Sequence, residues 1–351
     1  MKKTIILTGG GTAGHIMPNI SLLPLIREHF NNIYYIGCSS SMEEKIISEI
    51  KDVKFLPIQA TKLVRKLTLK NLAIPFKLIK SINQTKKYIK EIKPDVIFCK
   101  GGFVSVPVAI AGKSCKIPIV AHESDLSMGL ANKIILKFAN KMCTTFKETK
   151  SKNKKCVCTG TPIRQQIFKG NKNNILSKCN FNKNKPVVLF FGGSLGSKNI
   201  NTLVEDSIKQ LTSKFNILHI TGKNNKTKIK EQNYYQTEFA NNIEDFFDCA
   251  DIVVCRGGAN SLFELLELKK LMLIIPLSKA QSRGDQIENA EYFKKNNFAE
   301  VVLEENLNTA NLMLKLTHLI NNKDKFNKAQ SKHCSDANKK IVDIILNEMK
   351  K

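Results

Sequence analysis

Asp251-Ile-Val-Val-Cys-Arg-Gly-Gly-Ala-Asn-Ser261 repeats the order of residue types in Asp95-Val-Ile-Phe-Cys-Lys-Gly-Gly-Phe-Val-Ser105. In each copy an acid precedes an apolar run of strand length that closes on Cys, a basic residue and Gly-Gly. An apolar run without polar alternation reads as a strand buried on both faces, as in a parallel sheet covered by helices. The surroundings repeat as well. Thr4–Thr8 is a strand running into Gly9-Gly10-Gly11, and Pro186–Phe191 is a strand running into Gly192-Gly193. Further short β-rich runs at Ile33–Ile36 and Ile117–Ala121 alternate with helical patterns, and a Lys/Asn-rich stretch at 169–185 precedes the restart. The reading is α/β, with two Rossmann-like halves in tandem, a cleft between them, and ligands beyond the carboxyl ends of the strands. Chance likeness of two apolar strands is the competing reading, and the matched basic residue and Gly-Gly weigh against it.

Composition narrows the function classes. The chain has 351 residues, about twice a common domain length, enough for two cores. It is 42% hydrophobic and 25% charged, which excludes disordered and low-complexity classes. No apolar run approaches the roughly 18 residues of a membrane-spanning helix, and the apolar stretch after Met1-Lys-Lys ends in glycines after a strand's length, so the expected location is cytosolic. Ten cysteines are then expected to stay reduced; the Cys156/Cys158 pair has no second pair or clustered His to complete a metal site. Net charge is +26, with +17 carried by residues 1–160 and +9 by 161–351. Such a field suits a polyanionic partner, an anionic membrane surface or nucleic acid, against the blander reading of solvated lysine-rich faces.

Four loops carry candidate chemistry. Gly9-Gly-Gly-Thr-Ala-Gly-His15 formally satisfies G-x-G-x-x-G, yet the strand that should end in a ribose-binding carboxylate is Tyr34-Tyr-Ile-Gly-Cys38. The loop is either a tight turn or the seat of His15, whose place near a helix start favours neutral imidazole and hence a general base. Gly192-Gly-Ser-Leu-Gly-Ser197 before a helix from Lys198 is either a plain turn or a phosphate loop using Ser194 and backbone N–H groups. In Arg256-Gly-Gly-Ala-Asn-Ser-Leu-Phe-Glu264 the glycines open a helix, and Glu264, one turn in, can hold two ribose hydroxyls or serve as a capping carboxylate. The polar loop from Ile274 ends in Asp285 and Gln286 at a helix start.

Gly9–His15, Lys100–Ser105, His122-Glu-Ser-Asp125, Thr159–Arg164, Gly192–Ser194, Cys255–Ala259 and Arg283–Gln286 occur in the order and approximate spacing of the MurG family, which the chain resembles over nearly its whole length. The resemblance implies the GT-B architecture: an acceptor and membrane-facing domain at 1–162, a UDP-GlcNAc domain at 163–335, and a C-terminal helix at 336–351 that packs back on the first. It implies inverting transfer of GlcNAc from UDP-GlcNAc to the C4 hydroxyl of MurNAc in undecaprenyl-pyrophosphoryl-MurNAc-pentapeptide (lipid I), at the cytoplasmic face of the membrane as a peripheral protein, beside other wall-synthesis proteins. It places Ser194 and Arg164 at the donor diphosphate, Arg256 and Ala259, Asn260, Ser261, Leu262 and Phe263 at the helix start beneath it, and Glu264 at the ribose. Phe239, Ala240 and Ile243 fall at uracil, Asp285 and Gln286 at the GlcNAc hydroxyls, and Thr12, Ala13 and Gly14 over the reacting sugar. His15 is the first choice of base and Glu123 the second. Asp125 stands where the family has an amide, and Ala13 where it has a glycine; a carboxylate accepts but cannot donate as an amide does. With no Asp-x-Asp motif in the chain, no obligatory cation and no cofactor are expected.

Residues 62–93 carry ten basic residues against Glu91 alone, interleaved with apolar ones, and read as a patch for an anionic membrane surface. Pro75 is expected to split the segment and to open a helix. A UDP-GlcNAc 2-epimerase shares the donor logic without a lipid acceptor. An NAD-dependent oxidoreductase rests on Gly9–Gly14 alone. Binding of nucleic acid rests on charge with no recognised motif, and none is expected.

Overall fold

The computed structural model describes residues 2–60, 74–149, 153–193, 196–333 and 336–349. It divides into two compact units, Met1–Arg164 with Ser335–Lys351, and Gln165–Cys334.

The first unit alternates strand and helix: β1 (Thr4–Thr8), α1 (Ala13–His29), β2 (Asn32–Cys38), α2 (Met42–Ser48), β3 (Val53–Ile58), α3 (Ile74–Ile92), β4 (Val96–Cys99), α4 (Ser105–Ser114), β5 (Ile119–Glu123), α5 (Leu130–Phe138), β6 (Lys141–Thr144) and β7 (Cys156–Cys158). All its strand pairs are parallel, in the order β3-β2-β1-β4-β5-β6-β7. Pro75 stands in the first turn of α3, where its missing N–H costs nothing.

The second unit holds α6 (Asn173–Leu176), β8 (Val187–Phe191), α7 (Lys198–Lys214), β9 (Asn216–Ile220), β10 (Tyr234–Thr237), α8 (Ile243–Cys249), β11 (Ile252–Cys255), α9 (Ala259–Glu267), β12 (Leu271–Ile274), α10 (Asp285–Lys295), β13 (Glu300–Val301), α11 (Thr309–Asn321) and α12 (Lys323–Gln330). Its parallel sheet runs β10-β9-β8-β11-β12-β13, the same winding as the first. In each unit the order reverses beside the first strand, between β1 and β4 and between β8 and β11. Such a switch point opens a crevice at the carboxyl ends of the strands.

The last helix, α13 (Ala337–Met349), belongs to the first unit. Ile341, Val342 and Ile345 join Ile16, Leu22, Leu23 and Ile26 of α1 on one face of the sheet, over Ile5, Leu7, Tyr35, Phe98 and Val120. The other face packs Ile6, Ile36, Ile97, Cys99 and Ile119 under Val104 just before α4, Val108 of α4, Ile89 of α3 and Ile135 of α5. The Asn338 side chain fastens the segment before the second unit: it accepts from Ile163 N (2.9 Å) and donates to Ile163 O (2.9 Å) and Ser21 O (3.1 Å). Arg164 consequently lies in the first unit, whereas the sequence reading began the second domain at 163.

The acids that open the two repeated motifs do the same work. Asp95 Oδ2 accepts from Thr4 N (2.6 Å) and Asp251 Oδ2 from Val187 N (2.8 Å), while each backbone N–H donates to the carbonyl of its partner, Thr4 or Val187. Each acid thus registers the two strands that flank its switch point.

The basic residues that close the motifs are both buried. Lys100 is 1% exposed, and its Nζ donates to Ser124 Oγ at 2.5 Å. Burial pushes its ammonium down to about 8, with the charges of Glu123 and Asp125 acting the other way. Between pH 8 and 10.5 the unfolded chain therefore holds a proton that the folded one lacks, so this group adds stability as pH rises through that window and imposes its full penalty below it. Lys100→Met should raise unfolding stability at pH 7 by on the order of 2 to 3 kcal/mol, allowing for the lost hydrogen bond, with the gain disappearing toward pH 10.5. Urea titrations at pH 7 and 10 measure it; a variant no more stable than the parent at pH 7 refutes the account.

Candidate functional site

At the carboxyl edge of the second sheet, three loops converge on the Arg256-Gly257-Gly258 turn. α9 begins directly after Gly258, and a helix start leaves its first amide N–H groups without intrahelical acceptors. A side chain on Gly258 would meet nothing within 4 Å, so the helix start opens outward there. Gly257, by contrast, is gripped on both sides of its backbone. Its N–H donates to Gln286 Oε1 (3.2 Å), and its carbonyl accepts from Asn289 Nδ2 (3.1 Å). A Cβ there would lie 2.5 Å from the Gln286 carbonyl oxygen, so only glycine lets α10 dock this closely. Gln286 Oε1 also accepts from Leu277 N (3.1 Å), which turns the amide nitrogen into the group available for donation beyond the loop. Next to it, Arg283 Nε pairs with Asp285 Oδ1 at 3.3 Å.

Within α9 the candidates separate. Leu262 and Phe263 send their side chains into the core, Phe263 lying 5.2 Å edge-on to Phe293, so they fix the helix rather than reach outward. Asn260 and Ser261 are half-buried at the helix start, and Glu264 is buried one turn in. Beyond β10, Phe239 is 59% exposed, with its carbonyl held by Thr237 Oγ1 (3.0 Å); Ala240 follows it, and Ile243 opens α8. An exposed ring at a strand's carboxyl end is suited to stacking on a flat heterocycle. Ser194, assigned to the phosphate loop, lies outside the described residues.

The guanidinium of Arg256 is committed within the protein. Its Nη1 pairs with Glu304 Oε1 at 2.7 Å and donates to Ile275 O at 3.2 Å, and its Nη2 donates to Ser197 Oγ at 2.5 Å. Burial would raise the Glu304 carboxyl, but hydrogen bonds from Arg256 and Asn199 and the Arg256 charge prevail and hold it below its ordinary value. Glu304 lies in a short 3-10 turn, Glu304–Asn306, that no motif marks, and the sequence reading missed it. The one available signal was the repeat: a basic residue buried in the same slot of both halves calls for a partner in each.

In the first unit, the β1–α1 loop is packed against the turn after β4. A Cβ on Gly102 would sit 2.5 Å from Gly10 O. The Tyr35 hydroxyl donates to Gly9 O at 2.5 Å and accepts from Asn19 Nδ2 at 3.2 Å, while Glu43 accepts from Gly11 N (3.4 Å) and Cys38 N (3.2 Å). Glu43, Tyr35 and Asn19 are further supports the sequence reading did not identify. Thr12 caps α1 in extended backbone, followed by Ala13 and Gly14, and its Oγ1 lies 2.9 Å from His15 Nδ1. Glu123, at the end of β5, is buried with its carboxylate occupied: Oε1 accepts from Asp125 N (3.0 Å), and Oε2 from Gly129 N (2.9 Å) and Asn132 Nδ2 (2.9 Å). It staples the loop that carries Asp125, and an oxygen so engaged is poorly placed to take a proton from a substrate. His122 beneath it hydrogen-bonds Gly160 O through Nε2 (2.9 Å), and burial keeps it far below its ordinary pKa, hence neutral.

Known proteins resemble this chain in sequence and fold. Residues 5–144 match the glycosyltransferase family 28 N-terminal domain and residues 187–345 the corresponding C-terminal domain. A Clostridium tetani protein named UDP-N-acetylglucosamine--N-acetylmuramyl-(pentapeptide) pyrophosphoryl-undecaprenol N-acetylglucosamine transferase is 46% identical over 98% of both chains. The crystal structure of Acinetobacter baumannii MurG superposes with a TM-score of 0.77 at 21% identity, covering 99% of this chain and 100% of that one. A Neisseria meningitidis UDP-GlcNAc 2-epimerase bound to UDP-GlcNAc reaches 0.68 at 14% identity, over 99% and 100%, so the fold alone does not separate transfer from epimerisation. With both domain profiles matched in order and near-half identity along its length, this chain belongs to glycosyltransferase family 28 and to its MurG branch.

Proposed function

We infer that this protein transfers GlcNAc from UDP-GlcNAc to the C4 hydroxyl of MurNAc in undecaprenyl-pyrophosphoryl-MurNAc-pentapeptide, with inversion to the β-1,4-linked disaccharide and release of UDP. The observation that carries this is the 46% identity over 98% of a relative bearing that name. Incubation with radiolabelled UDP-GlcNAc and the lipid acceptor tests it: label should pass to a lipid-soluble product. Label confined to a soluble epimer would favour the 2-epimerase reading instead.

The donor is assigned to the second unit. Amides at the start of α9 are assigned to the diphosphate, Glu264 to the ribose hydroxyls, and Phe239 with Ala240 and Ile243 to the uracil; the family resemblance adds Ser194 and Arg164 to the diphosphate contacts. Gln286, its oxygen already spent on Gly257 and Leu277, donates its amide N–H to a sugar hydroxyl, with Asp285 beside it. Because the leaving UDP gains charge as the glycosidic bond breaks, donors fixed in place stabilise the transition state more than the ground state.

His15 is the assigned base, and its contact with Thr12 sets a condition. If the Thr12 hydroxyl donates to Nδ1, the imidazole proton sits on Nε2, which then cannot accept. Catalysis requires the other tautomer, Nδ1–H donating to Thr12 Oγ1, with the Nε2 lone pair toward the acceptor hydroxyl. His15→Ala should lower kcat about 100-fold or more and leave UDP affinity within twofold, since proton transfer matters only in the transition state. Steady-state kinetics beside UDP calorimetry decide it. If Glu123→Gln loses turnover while His15→Ala does not, the two roles are exchanged.

The membrane-facing role is assigned to α3. Phe76 is 76% and Ile79 56% exposed, and both lie on one helical face with the exposed Lys80, Lys87 and Lys90. Lys62, Leu63, Val64, Arg65, Lys66, Leu67, Leu69, Lys70 and Leu72 lie outside the described residues. No described helix is long and apolar enough to cross a membrane. Apolar side chains with lysines along one stripe suit adsorption to an anionic leaflet, at about 1 kcal/mol for each nearby cation. Charge reversal at Lys80, Lys87 and Lys90 together should release the protein from anionic vesicles at low salt while sparing transfer to a short-chain acceptor. Undiminished vesicle sedimentation of that variant would remove the patch.

A further inference from the structure

We propose that Glu304 is the positioning residue of the donor site, holding the three loops that receive UDP-GlcNAc in register through Arg256, Asn199 and Ser278; the proposal rests on the donor assignment above. Glu304 Oε1 accepts from Arg256 Nη1 and from Asn199 Nδ2, both at 2.7 Å, and Oε2 accepts from Ser278 N at 3.2 Å. These donors come from three different carboxyl-edge connections: Asn199 in the first turn of α7 after β8, Arg256 after β11, and Ser278 after β12. Arg256 extends the bridge, since its Nη2 reaches Ser197 Oγ, the side chain that also caps α7 by accepting from Ile200 N. One carboxylate thereby fixes the start of α7, the start of α9 and the loop that leads to Gln286.

The chemistry explains why a carboxylate occupies this place. The side chains of Arg256 and Glu304 are each 9% exposed. A guanidinium does not shed its proton at any working pH, so burying one demands a resident anion. In the first unit the same slot holds Lys100, which can lower its affinity for the proton; its ammonium donates to the Ser124 hydroxyl, with the charges of Glu123 and Asp125 near it. The Arg256–Glu304 pair leaves the turn electrically balanced when no donor is bound, so that the open helix start rather than a stray cation sets where the diphosphate settles. Glu304 itself touches no reactant in this scheme.

Glu304→Ala should raise KM for UDP-GlcNAc at least tenfold and leave KM for the lipid acceptor within twofold. Arg256→Ala should do the same, and the double variant should be no worse than the more impaired single one, because the two act as a unit. A residue that merely supported folding would lower the active fraction, hence kcat, with both KM values unchanged. Asn199→Ala removes one exposed donor and threatens the fold least; about a threefold rise in donor KM is expected of it, and Glu304→Gln, which keeps the shape and an acceptor oxygen, should fall between parent and Glu304→Ala. If Glu304→Ala fails to fold, Asn199→Ala and Glu304→Gln carry the test. Unchanged donor KM in the folded variants, or equal rises in both KM values, overturns the proposal. Absence of GlcNAc transfer by the parent protein would instead overturn the functional reading on which it rests.

Discussion

Backbone must touch backbone at the carboxyl edges of both sheets, and the rest of each site follows from that contact. Gly102 approaches Gly10 O in the first unit and Gly257 approaches Gln286 O in the second, each so closely that a Cβ would stand 2.5 Å from the oxygen. Such approach brings turns from different strands together without side chains between them, which leaves their N–H groups crowded on one small surface. Those donors are satisfied by the protein, as the Gly257 N–H is by Gln286, by water or by a ligand. The glycines are therefore no mere permission for tight turns; they set the density of donors at each switch point.

The repeated motif shows how far the sequence displays this plan. Asp, apolar strand, Cys, basic residue and Gly-Gly recur because Asp95 and Asp251 register the paired strands, Cys99 and Cys255 fill the core, and the glycines permit the approach. Local residue order encodes all of these, so the α/β class, the two units and the helix starts at Lys198, Ala259 and Asp285 could be read directly. The supports could not. Glu304, Glu43, Asn19 and Tyr35 act across tens of residues on a backbone atom or a single side chain, and such contacts leave no spacing in the chain. The edge of the second unit shifted for the same reason: Asn338 clamps Ile163 from 175 positions away.

The two halves answer one physical problem differently. A cation in the last row of each sheet is cut off from water, and a buried charge left unpaired costs several kcal/mol. Lys100 meets this by holding its proton less tightly, which costs stability, while the Ser124 hydroxyl and the charges of Glu123 and Asp125 support its ammonium. Arg256 lacks that option, and the fold extends a turn beyond β13 to bring Glu304 to it. The same order of residue types thus yields a titratable group in one half and a fixed ion pair in the other.

Buried carboxylates also bear on the assignment of the base. Glu43 accepts from Gly11 N, Glu123 from Asp125 N and Gly129 N, and Glu304 from Ser278 N. Each satisfies loop amides that would otherwise be orphaned, and a carboxylate accepts such bonds more strongly than a carboxylic acid does. A carboxylate that took up a substrate proton would weaken the hydrogen bonds that hold its own loop, disordering the site at the moment of reaction. An imidazole in the first turn of α1, the base assigned above, would avoid that conflict. In the role assigned to it above, His15 would be oriented by the Thr12 hydroxyl at Nδ1 and would take up the proton at Nε2, with no loop amide depending on its charge state.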